Sequence, residues 1–469
     1  MTGRYPFSHQ LIASDYILSP KEVTLAEVLK LYDYKTVAFT GGFNISSVYN
    51  VNQGFDLFFD EIEHGRLEDV LPPALNWLKT NYQLPVTGNR LPNTDDPLPD
   101  TTPRPFFLFL QAYDTHAPHK FPPKYLKMHE NGYKGIFNGF VMDHSLGDNI
   151  IWYNYRHPNT SELIKLTKAD INHIIANYDA ALTYADKQLG GFFDNLNELG
   201  LDKNTIIVFL SDHGETHLER GRILKRTHGG LYEEGIHVPL IIKLPPDLDS
   251  ALCPNSAIDQ QVQLIDIMPT ILNLLNIPVN KECQGESLVP LINGTALENF
   301  NQYVYTCGGT TPETYQCAVR TQDWKLLYFK EDQQNVFKNE RWELYNFKND
   351  PLEQYNLIEG AFPVRGVLYE KLNHWVEQCQ STRLDRIKID ESLYPEMQAR
   401  MRKFGYWWLE FTDKDIGRAV TKTDNAGQVD RATPFSDASS ESPVHKFSSE
   451  EIIIEESEKQ FQSEEIIIE

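Results

Sequence analysis

The chain has 469 residues, 41% of them hydrophobic and 12% aromatic, which is enough for one large domain or two smaller ones with a sizeable core. Its 66 acidic and 43 basic residues give a formal net charge of -23. This balance excludes a general polyanion-binding protein, because binding to nucleic acid depends on clustered lysine and arginine. A small site for one anion is still compatible with an acidic chain.

Five cysteines in so long a chain do not form the dense, even-numbered set of a disulfide-rich protein. Cys307 and Cys317 are close enough in sequence for one bridge, although sparse cysteines are more often buried thiols. No apolar run reaches the roughly 18 residues that a membrane span requires. The first residues also lack the apolar core of a signal peptide, so a cytoplasmic location is the default expectation.

Predicted helices and strands alternate over the first 300 residues. Helical spacing predicts a helix behind Thr24, a long helix over residues 171–199 and another from residue 266. Apolar runs predict a short strand over residues 35–40 and buried strands over residues 106–110, 205–210 and 238–243. Strands of this kind are typical of parallel sheets. We therefore expect an α/β fold in which a mostly parallel sheet is sandwiched by helices.

The pattern changes near residue 300. Residues 319–329 and 342–347 predict neighbouring antiparallel strands, and residues 365–379 predict a helix, which together indicate a small C-terminal α+β subdomain. Beyond residue 425 the chain is rich in Ser, Asp and Glu, and the heptapeptide Ser-Glu-Glu-Ile-Ile-Ile-Glu occurs twice. Such an acidic, core-poor tail is expected to be disordered. The alternative is a docking element built on the two isoleucine triplets.

The strongest chemical signal is residues 211–215, Ser-Asp-His-Gly-Glu, directly after the predicted strand 205–210. Ligands of open α/β sheets bind beyond the carboxyl ends of the strands. Asp212 and His213 leave the strand side by side there, so a carboxylate and an imidazole can turn toward one divalent cation. The alternative interpretation is a turn with a capping aspartate and an incidental histidine.

Two further histidines belong to loops that follow strands. His228 stands before Gly229 and Gly230, which let the backbone approach closely, so its ring can donate to a bound anion or act as a general acid. His116 follows the strand 106–110 and can reach a bound ester. Taken singly, either is more often an ordinary loop histidine. Together with the Asp-His pair, we expect them to converge on one crevice that holds a cation and an anion.

Seven segments, in order, resemble motifs of the sulfatase family in the alkaline-phosphatase superfamily, over a stretch from about residue 2 to residue 358. The segments are Phe-Leu-Phe-Leu-Gln-Ala-Tyr-Asp-Thr-His-Ala-Pro at 107–118, Ser-Asp-His-Gly-Glu at 211–215, Leu-Tyr-Glu-Glu-Gly-Ile-His-Val-Pro-Leu at 231–240, Gln-Leu-Ile-Asp-Ile-Met-Pro-Thr at 263–270, Gln-Gly-Glu-Ser-Leu at 284–288, Arg-Thr-Gln-Asp-Trp-Lys-Leu at 320–326 and Glu-Leu-Tyr-Asn-Phe-Lys-Asn-Asp-Pro at 343–351.

The resemblance implies hydrolysis of sulfate monoesters by a formylglycine, with a divalent metal, usually calcium, that polarises the ester. By motif, Asp212 and His213 fall on metal ligands, and His116 falls on a histidine that contacts the sulfate. His228 falls where many members carry Lys or His near the leaving oxygen, and Lys225 joins it in the expected substrate-binding set. The expected partner is a small sulfated ester or sulfated sugar, with no nucleic acid and no membrane span.

The resemblance also implies a domain organisation. Residues 1–298 are expected to form a sulfatase-like catalytic domain, incomplete at its N-terminus, residues 299–424 a C-terminal subdomain with its extension, and residues 425–469 the acidic tail. His213 stands where many relatives carry Asn, and imidazole is more typical of zinc or manganese than of calcium, so the metal is left open. Residues 41–44 stand where many members place Lys-Trp-His.

The formylglycine motif, Cys/Ser-x-Pro/Ala-x-Arg, is absent from the sequence. In the family it shortly precedes the phrase that here occupies residues 2–6, and the segment at Cys253 lacks the arginine. The first strand, two metal-binding carboxylates and the nucleophile are therefore expected to be missing. Because that strand is normally internal, its neighbours are expected to expose unpaired edges and apolar faces. The chain alone is then expected to be inactive and prone to aggregate.

Two other functions stay open. A phosphodiesterase or phosphoethanolamine-transferase-like enzyme of the same superfamily agrees with Asp-His in place of Asp-Asn. A non-catalytic binding protein could keep the fold and a partial metal site. Absence of divalent-cation binding would favour the second of these.

Overall fold

The computed structural model of the chain describes residues 1–11, 16–41, 45–61, 65–82, 104–130, 132–137, 150–151, 153–157, 160–219, 230–248, 257–295, 299–309, 315–330 and 341–393. All of them belong to one unit, Met1–Thr421. The predicted acidic tail, Cys253 and most of the Pro-, Asn- and Asp-rich segment near residue 95 lie outside the described residues. No helix in these stretches is long and apolar enough to cross a membrane.

The strands, in chain order, are β1 (Tyr16–Ile17), β2 (Lys35–Thr40), β3 (Leu57–Phe59), β4 (Phe106–Gln111), β5 (Ile150–Ile151), β6 (Asn154–Arg156), β7 (Leu163–Lys165), β8 (Ile207–Leu210), β9 (Leu240–Lys243), β10 (Val304–Gly309), β11 (Tyr315–Arg320), β12 (Trp324–Phe329), β13 (Arg341–Asn346) and β14 (Ile387–Lys388). The α-helices are α1 (Pro6–His9), α2 (Leu25–Leu31), α3 (Leu67–Tyr82), α4 (Pro123–His129), α5 (Lys168–Glu198), α6 (Glu233–Ile236), α7 (Ile267–Leu274), α8 (Val289–Ile292) and α9 (Pro363–Ser381).

Strand β2 is the middle of a parallel sheet, with β3 and β4 hydrogen-bonded on its two sides. Val37 of β2 lies opposite Leu57 on one side and Leu108 on the other. The apolar residues of β2 are buried, as expected for a strand that is covered on both faces. The predicted strands 35–40 and 106–110 are confirmed, the second with Gln111 added.

Two predicted helices begin at capping boxes. In α2, Thr24 Oγ1 accepts from the Glu27 amide at 3.1 Å, and the Thr24 amide donates to Glu27 Oε2 at 2.9 Å. In α5, Thr167 and Asp170 make the same reciprocal pair. Each box satisfies two amides that have no partner inside the helix, which fixes the first residue. The predicted helices behind Thr24 and over residues 171–199 are thereby confirmed.

Helices α3 and α5 form a layer that β4 and β8 share. Leu71 of α3 and Phe192 of α5 belong to one apolar cluster with Phe106 and Leu110 of β4. Ile207 of β8 packs against the same cluster. The two strands that precede the predicted site loops therefore lie against the same helices.

The strands predicted over residues 205–210 and 238–243 are present as β8 and β9. The prediction that these two strands are buried is wrong. Phe209, Leu210 and Ile241 are 37%, 38% and 61% exposed, and the side chains of β4 are only half buried. Within the described residues, β4 pairs with β2 alone and β8 pairs with β9 alone, the latter in antiparallel register. Each of the two strands therefore has an edge that is not hydrogen-bonded to any other described strand.

The C-terminal sheet is antiparallel, in the order β10-β11-β12-β13. Helix α9 confirms the predicted helix 365–379 and covers one face, where Leu372 packs with Leu326. The single strand predicted over residues 319–329 is corrected to a hairpin of β11 and β12. The Thr321 amide closes its turn by donating to the Trp324 carbonyl at 2.8 Å.

The other face of this sheet is covered by the segment that precedes α6. Leu231 and Tyr232 pack there against Ala318, Leu327 and Tyr345. The sheet and α9 have the α+β character that the sequence predicted for this part of the chain. The boundary of the subdomain near residue 298 stays a prediction.

Cys307 and Cys317 face each other in register across β10 and β11. Both are free thiols, so the bridge that their spacing allowed is not formed. Burial raises the pKa of both groups, that of Cys307 to about 12. They are neutral thiols of the core, which is the commoner fate of sparse cysteines.

The start and the end of the described chain pair with each other. In β1 and β14, Tyr16 lies opposite Lys388 and Ile17 lies opposite Ile387. The Leu384 amide also donates to the Ser8 carbonyl at 3.0 Å. The N-terminal segment is thereby held against residues that follow α9.

Candidate active site

Asp212 and His213 follow the end of β8 directly, as the sequence predicted. Asp212 Oδ2 lies 3.7 Å from His213 Nε2. His213 Nδ1 lies 2.8 Å from the Gly214 carbonyl oxygen. Because a carbonyl only accepts, Nδ1 donates, and in the neutral ring Nε2 is the nitrogen with the lone pair. A carboxylate oxygen and an imidazole nitrogen therefore lie at a separation that one cation can bridge.

This donor pair fits a divalent cation as part of a coordination shell. Zinc binds about four ligands and calcium about six to eight, so two side chains are too few to hold either alone. The described stretches contain no group of three or more His, Cys, Asp or Glu side chains arranged around a metal position. The assignment of Asp212 and His213 as metal ligands thus stays a prediction that their geometry allows.

Gly214 brings this loop against α6. Its amide donates to the Gly235 carbonyl at 2.8 Å. A Cβ atom at position 214 would lie 2.1 Å from the Glu234 carbonyl oxygen, so only glycine fits. The residue directly after the donor pair is therefore fixed by backbone contact with α6.

His116 lies in the loop after β4, also as predicted. Its amide donates to the Tyr113 carbonyl at 3.1 Å, and the Tyr113 ring packs edge-on at 5.2 Å between centroids. Its Nδ1 lies 2.7 Å from the Ala117 carbonyl oxygen and therefore donates. The neutral ring then offers Nε2 as an acceptor, and the protonated ring offers a donor to an anion.

Asp114 and Arg66 hold the His116 loop against the start of α3. Asp114 Oδ2 accepts from the Leu67 amide at 2.7 Å, and burial raises the pKa of Asp114 to about 6. Arg66 Nη2 donates to the Pro118 carbonyl at 2.6 Å. The backbone on both sides of His116 is thus fixed by polar contacts with one helix terminus.

The loops after β4 and β8 meet at Tyr178 of α5. The Tyr178 ring lies 6.0 Å from the His119 ring and 4.2 Å from the His217 ring, measured between centroids. His119 belongs to the His116 loop, and His217 belongs to the Asp212–His213 loop. The loops are therefore joined through one aromatic side chain. Direct convergence of His116 with Asp212 on a single pocket stays a prediction.

The contact of Tyr178 with His119 and His217 is called the junction below. Burial keeps both of its histidines neutral. It lowers the pKa of His119 to about 4 and also lowers the pKa of His217. The charge of Glu215 acts on both histidines and on Tyr178. For the two histidines this negative charge raises the pKa and so opposes the effect of burial, which is the larger of the two.

Lys225 and His228, the predicted substrate-binding pair, lie outside the described residues. The chain resumes at Gly230 in a left-handed conformation, with φ of +64°, and continues into the buried Leu231 and Tyr232. The segment that follows the two residues is therefore firmly packed. Their own roles stay predictions.

Sequence reasoning missed four residues of the junction, namely His119, Glu215, His217 and Tyr178. The helical spacing of Tyr178 with Leu182 and Leu189 suggests one apolar face of α5, but Leu182 is 48% exposed. The signal available was the spacing of His116 with His119 and of His213 with His217. That spacing alone does not reveal which histidines meet across the fold.

Comparison with known proteins adds two family models. The model described as Sulfatase matches residues 1–277, which is more than half of the chain. The model described as N-sulphoglucosamine sulphohydrolase, C-terminal, matches residues 221–380. The first match includes every predicted site residue.

Among curated relatives, Arylsulfatase K of Bos taurus is 31% identical over 216 residues, 44% of this chain and 37% of that protein. The N-acetylglucosamine-6-O-sulfatase of Bacteroides thetaiotaomicron is 31% identical over 193 residues, 39% of this chain and 32% of that protein. The Ulvan-active sulfatase of Formosa agariphila is 25% identical over 376 residues, 76% of this chain and 66% of that protein. The chain thus spans about a third of the first two relatives.

Solved structures resemble the chain in fold. One, a protein in complex with its substrate D-glucosamine-2-N,6-O-disulfate, superposes with a TM-score of 0.59 at 18% identity, over 81% of this chain and 87% of that chain. The phosphonate monoester hydrolase of Agrobacterium radiobacter gives 0.56 at 18% identity, over 82% and 85%. These likenesses confirm the expected alkaline-phosphatase-like α/β architecture.

Proposed function

Because the chain belongs to the sulfatase family, we propose that it is a sulfuric ester hydrolase that acts on sulfate monoesters. The observation that carries the proposal is the Asp212–His213 pair, whose donor atoms lie 3.7 Å apart beyond the carboxyl end of β8. Tyr178 joins its loop to the one that bears His116. Ligands of open α/β sheets bind at this end of the strands.

In this proposal, Asp212 and His213 bind a divalent cation, with calcium first and manganese or zinc as alternatives. When bound, the cation supplies Lewis-acid polarisation of the ester oxygens. His116 contacts the sulfate, and its protonated ring donates to a sulfate oxygen through Nε2. Lys225 and His228 bind the same anion, His228 on the side of the leaving oxygen.

Family membership implies a divalent metal and a formylglycine in general. No Cys or Ser of the printed sequence stands in the pattern Cys/Ser-x-Pro/Ala-x-Arg, so the residues present do not fit a formylglycine. We therefore assign no nucleophilic step to any residue of this chain. Hydrolysis by the chain as printed is expected to be impaired, and Asp212 and His213 supply only part of the coordination shell of the cation.

A sulfated sugar is the substrate class that we infer. Two relatives carry sugar names, N-acetylglucosamine-6-O-sulfatase and Ulvan-active sulfatase, and the second aligns with 76% of this chain. Binding of sulfated monosaccharides, compared with their phosphorylated counterparts, tests the class. Preference for the phosphorylated sugars would favour the phosphoesterase alternative.

Titration calorimetry with Ca²⁺, Mn²⁺ and Zn²⁺ on the full chain tests the metal site. The change Asp212→Ala removes the one carboxylate of the donor pair, and we expect cation affinity to fall about tenfold or more. Asp194→Ala is the matched control, because Asp194 is an exposed carboxylate on α5. Absence of binding to the unchanged chain for all three cations would contradict the proposal and favour a non-catalytic role.

A further inference from the structure

The segment 230–237 lies between the predicted metal loop and the C-terminal sheet. On the loop side, the Gly235 carbonyl accepts from the Gly214 amide at 2.8 Å. On the sheet side, Leu231 and Tyr232 are buried against β11, β12 and β13. Whatever fixes this segment therefore also fixes the backbone directly after Asp212 and His213.

Glu233 holds the segment to the sheet by ionic contacts. Its Oε1 lies 3.1 Å from Lys325 Nζ and 3.2 Å from Arg320 Nε, and its Oε2 accepts from Arg320 Nη2 at 3.2 Å. Burial opposes ionisation of Glu233, yet the charges of Lys325 and Arg320 outweigh it and hold its pKa below the usual value. Glu233 is therefore an ionised carboxylate between two cations.

Lys325 is the centre of a fully buried pair. Its side chain is 0% exposed, and its Nζ lies 2.8 Å from Oε1 of Glu353, which is also 0% exposed. The other oxygen of Glu353 accepts from the Glu233 amide at 2.8 Å. Two cations, Arg320 and Lys325, thus balance two carboxylates, and both the backbone and the side chain of Glu233 are held.

A second polar set reinforces the same segment. The Tyr232 hydroxyl donates to Glu343 Oε2 at 2.8 Å, and the Tyr345 hydroxyl donates to the same oxygen at 2.9 Å. Arg341 Nε lies 3.1 Å from Glu343 Oε1. Consecutive residues 232 and 233 are thus each bound to the sheet through a buried carboxylate.

We propose that Glu233, Lys325 and Glu353 are positioning residues for the Asp212–His213 donor pair. The C-terminal sheet sets the place of α6 through these three side chains, and α6 sets the Asp212–His213 loop through the bond from Gly214 to Gly235. The role at the metal rests on the proposed function. The chain of contacts from Lys325 through α6 to the Gly214 amide does not depend on the proposed function.

The opposing explanation is a buried ion cluster that only adds stability. Removal of one member of such a cluster leaves an uncompensated buried charge, which destabilises a protein wherever the cluster is. Loss of activity would not separate the two explanations. To distinguish a positioning role from a purely stabilising one, a measurement is needed on the Asp212–His213 loop itself. A control variant must destabilise the same sheet to a similar extent.

The experiment compares Lys325→Met and the milder Glu233→Gln with Leu372→Ala in the full chain. Leu372 lies on α9 and is buried against the opposite face of the sheet, in a hydrophobic cluster that includes neither Leu231 nor Tyr232. Hydrogen exchange is measured on a peptide covering residues 211–216, under conditions where thermal melts show all variants folded. Affinity for Mn²⁺ is measured by calorimetry on the same samples.

We expect exchange at the Gly214 amide to be about tenfold faster in Glu233→Gln and Lys325→Met and unchanged in Leu372→Ala. Mn²⁺ affinity is expected to fall by a similar factor in the first two variants only. Unchanged exchange in both ionic variants, or equal acceleration in Leu372→Ala, would overturn the inference. Absence of Mn²⁺ binding to the unchanged chain would overturn the metal role alone, because the exchange result still decides the link to Gly214. If Lys325→Met does not fold, the results for Glu233→Gln alone decide whether the inference holds.

Discussion

The C-terminal sheet and the β8–β9 pair are built from similar apolar strands, yet they differ in what covers them. Leu327 and Leu344 of the C-terminal sheet are fully buried, between α9 on one face and Leu231 and Tyr232 on the other. In β9, Ile241 is mostly exposed. Apolar sequence therefore does not by itself secure burial, because burial requires neighbouring elements on both sides.

The difference has an energetic consequence. Apolar surface buried in the C-terminal sheet stabilises the fold by roughly 25 cal/mol per Å² removed from water. The exposed side chains of β8 and β9 contribute little of this stabilisation. They leave an apolar surface beside an edge that pairs with no other described strand, which favours self-association. Substitutions in the two regions should therefore change different properties.

The largest expected effect is in the covered sheet. Leu344→Ala removes a fully buried side chain from the cluster that also contains Leu326 and Leu372. We expect the free energy of unfolding to fall by about 2–5 kcal/mol, because both transfer energy and packing are lost. Urea unfolding measures this value. A loss below about 1 kcal/mol would show that the sheet is less tightly packed than its burial indicates.

The junction of the two loops extends the comparison to a titratable group. Burial lowers the pKa of His119 from its ordinary 6.5 to about 4. Below pH 6.5 the unfolded chain binds more protons than the folded chain, so the stability from neutral His119 is lost as pH falls toward 4. Between pH 7.5 and 4.5 we expect a loss of up to about 2.5 kcal/mol from this residue.

His119→Gln isolates that contribution, since glutamine keeps a donor for the Thr115 carbonyl, which lies 3.2 Å from His119 Nε2. Urea unfolding at several pH values should give a shallower acid loss for the variant than for the unchanged chain. The pH-dependent contributions of other groups, including Asp114, are common to both proteins and cancel when the two profiles are subtracted. Parallel pH profiles for the two proteins would mean that folding does not lower the pKa of His119.

The smallest effect on stability is expected in the exposed strand. Ile241→Thr should change the free energy of unfolding by less than about 0.5 kcal/mol, because the side chain is already in water and threonine keeps the β-branch. The same substitution should reduce self-association, because it makes the exposed surface less apolar. Light scattering by the protein and its binding of an apolar dye should therefore both fall. A soluble, monomeric unchanged chain that hydrolyses an aryl sulfate would contradict the expectation that the chain is aggregation-prone and inactive.

Local patterns sufficed for some elements and failed for others. The strand 35–40, the helix behind Thr24 and the helix over residues 171–199 follow from an apolar run, a capping threonine and helical spacing, which involve neighbouring residues only. The hairpin turn at residues 321–323, Thr-Gln-Asp, contains no glycine or proline, so nothing in it marked the end of β11. The exposure of β8 depends on strand pairing, which a single segment cannot reveal.

The contacts of the candidate site also fall into those that the sequence predicts and those that it does not. Asp212 and His213 are adjacent in sequence and follow a strand, so their pairing was predictable from position alone. His119 and His217 meet only because Tyr178 of α5 lies between them. The ionic contacts of Glu233 with Lys325 join residues far apart in sequence. Such contacts arise from the packing of distant elements, and no local signal encodes them.

The pairing of β1 with β14 sets a condition on biosynthesis. Tyr16 and Ile17 are translated before every other described strand, whereas their partners Lys388 and Ile387 are translated after all of them. The edge of β1 must therefore wait until β14 has been made, and contacts this distant in sequence form slowly. Nascent chains that stall before residue 387 would leave that edge unmatched, so correct folding around β1 depends on synthesis of β14.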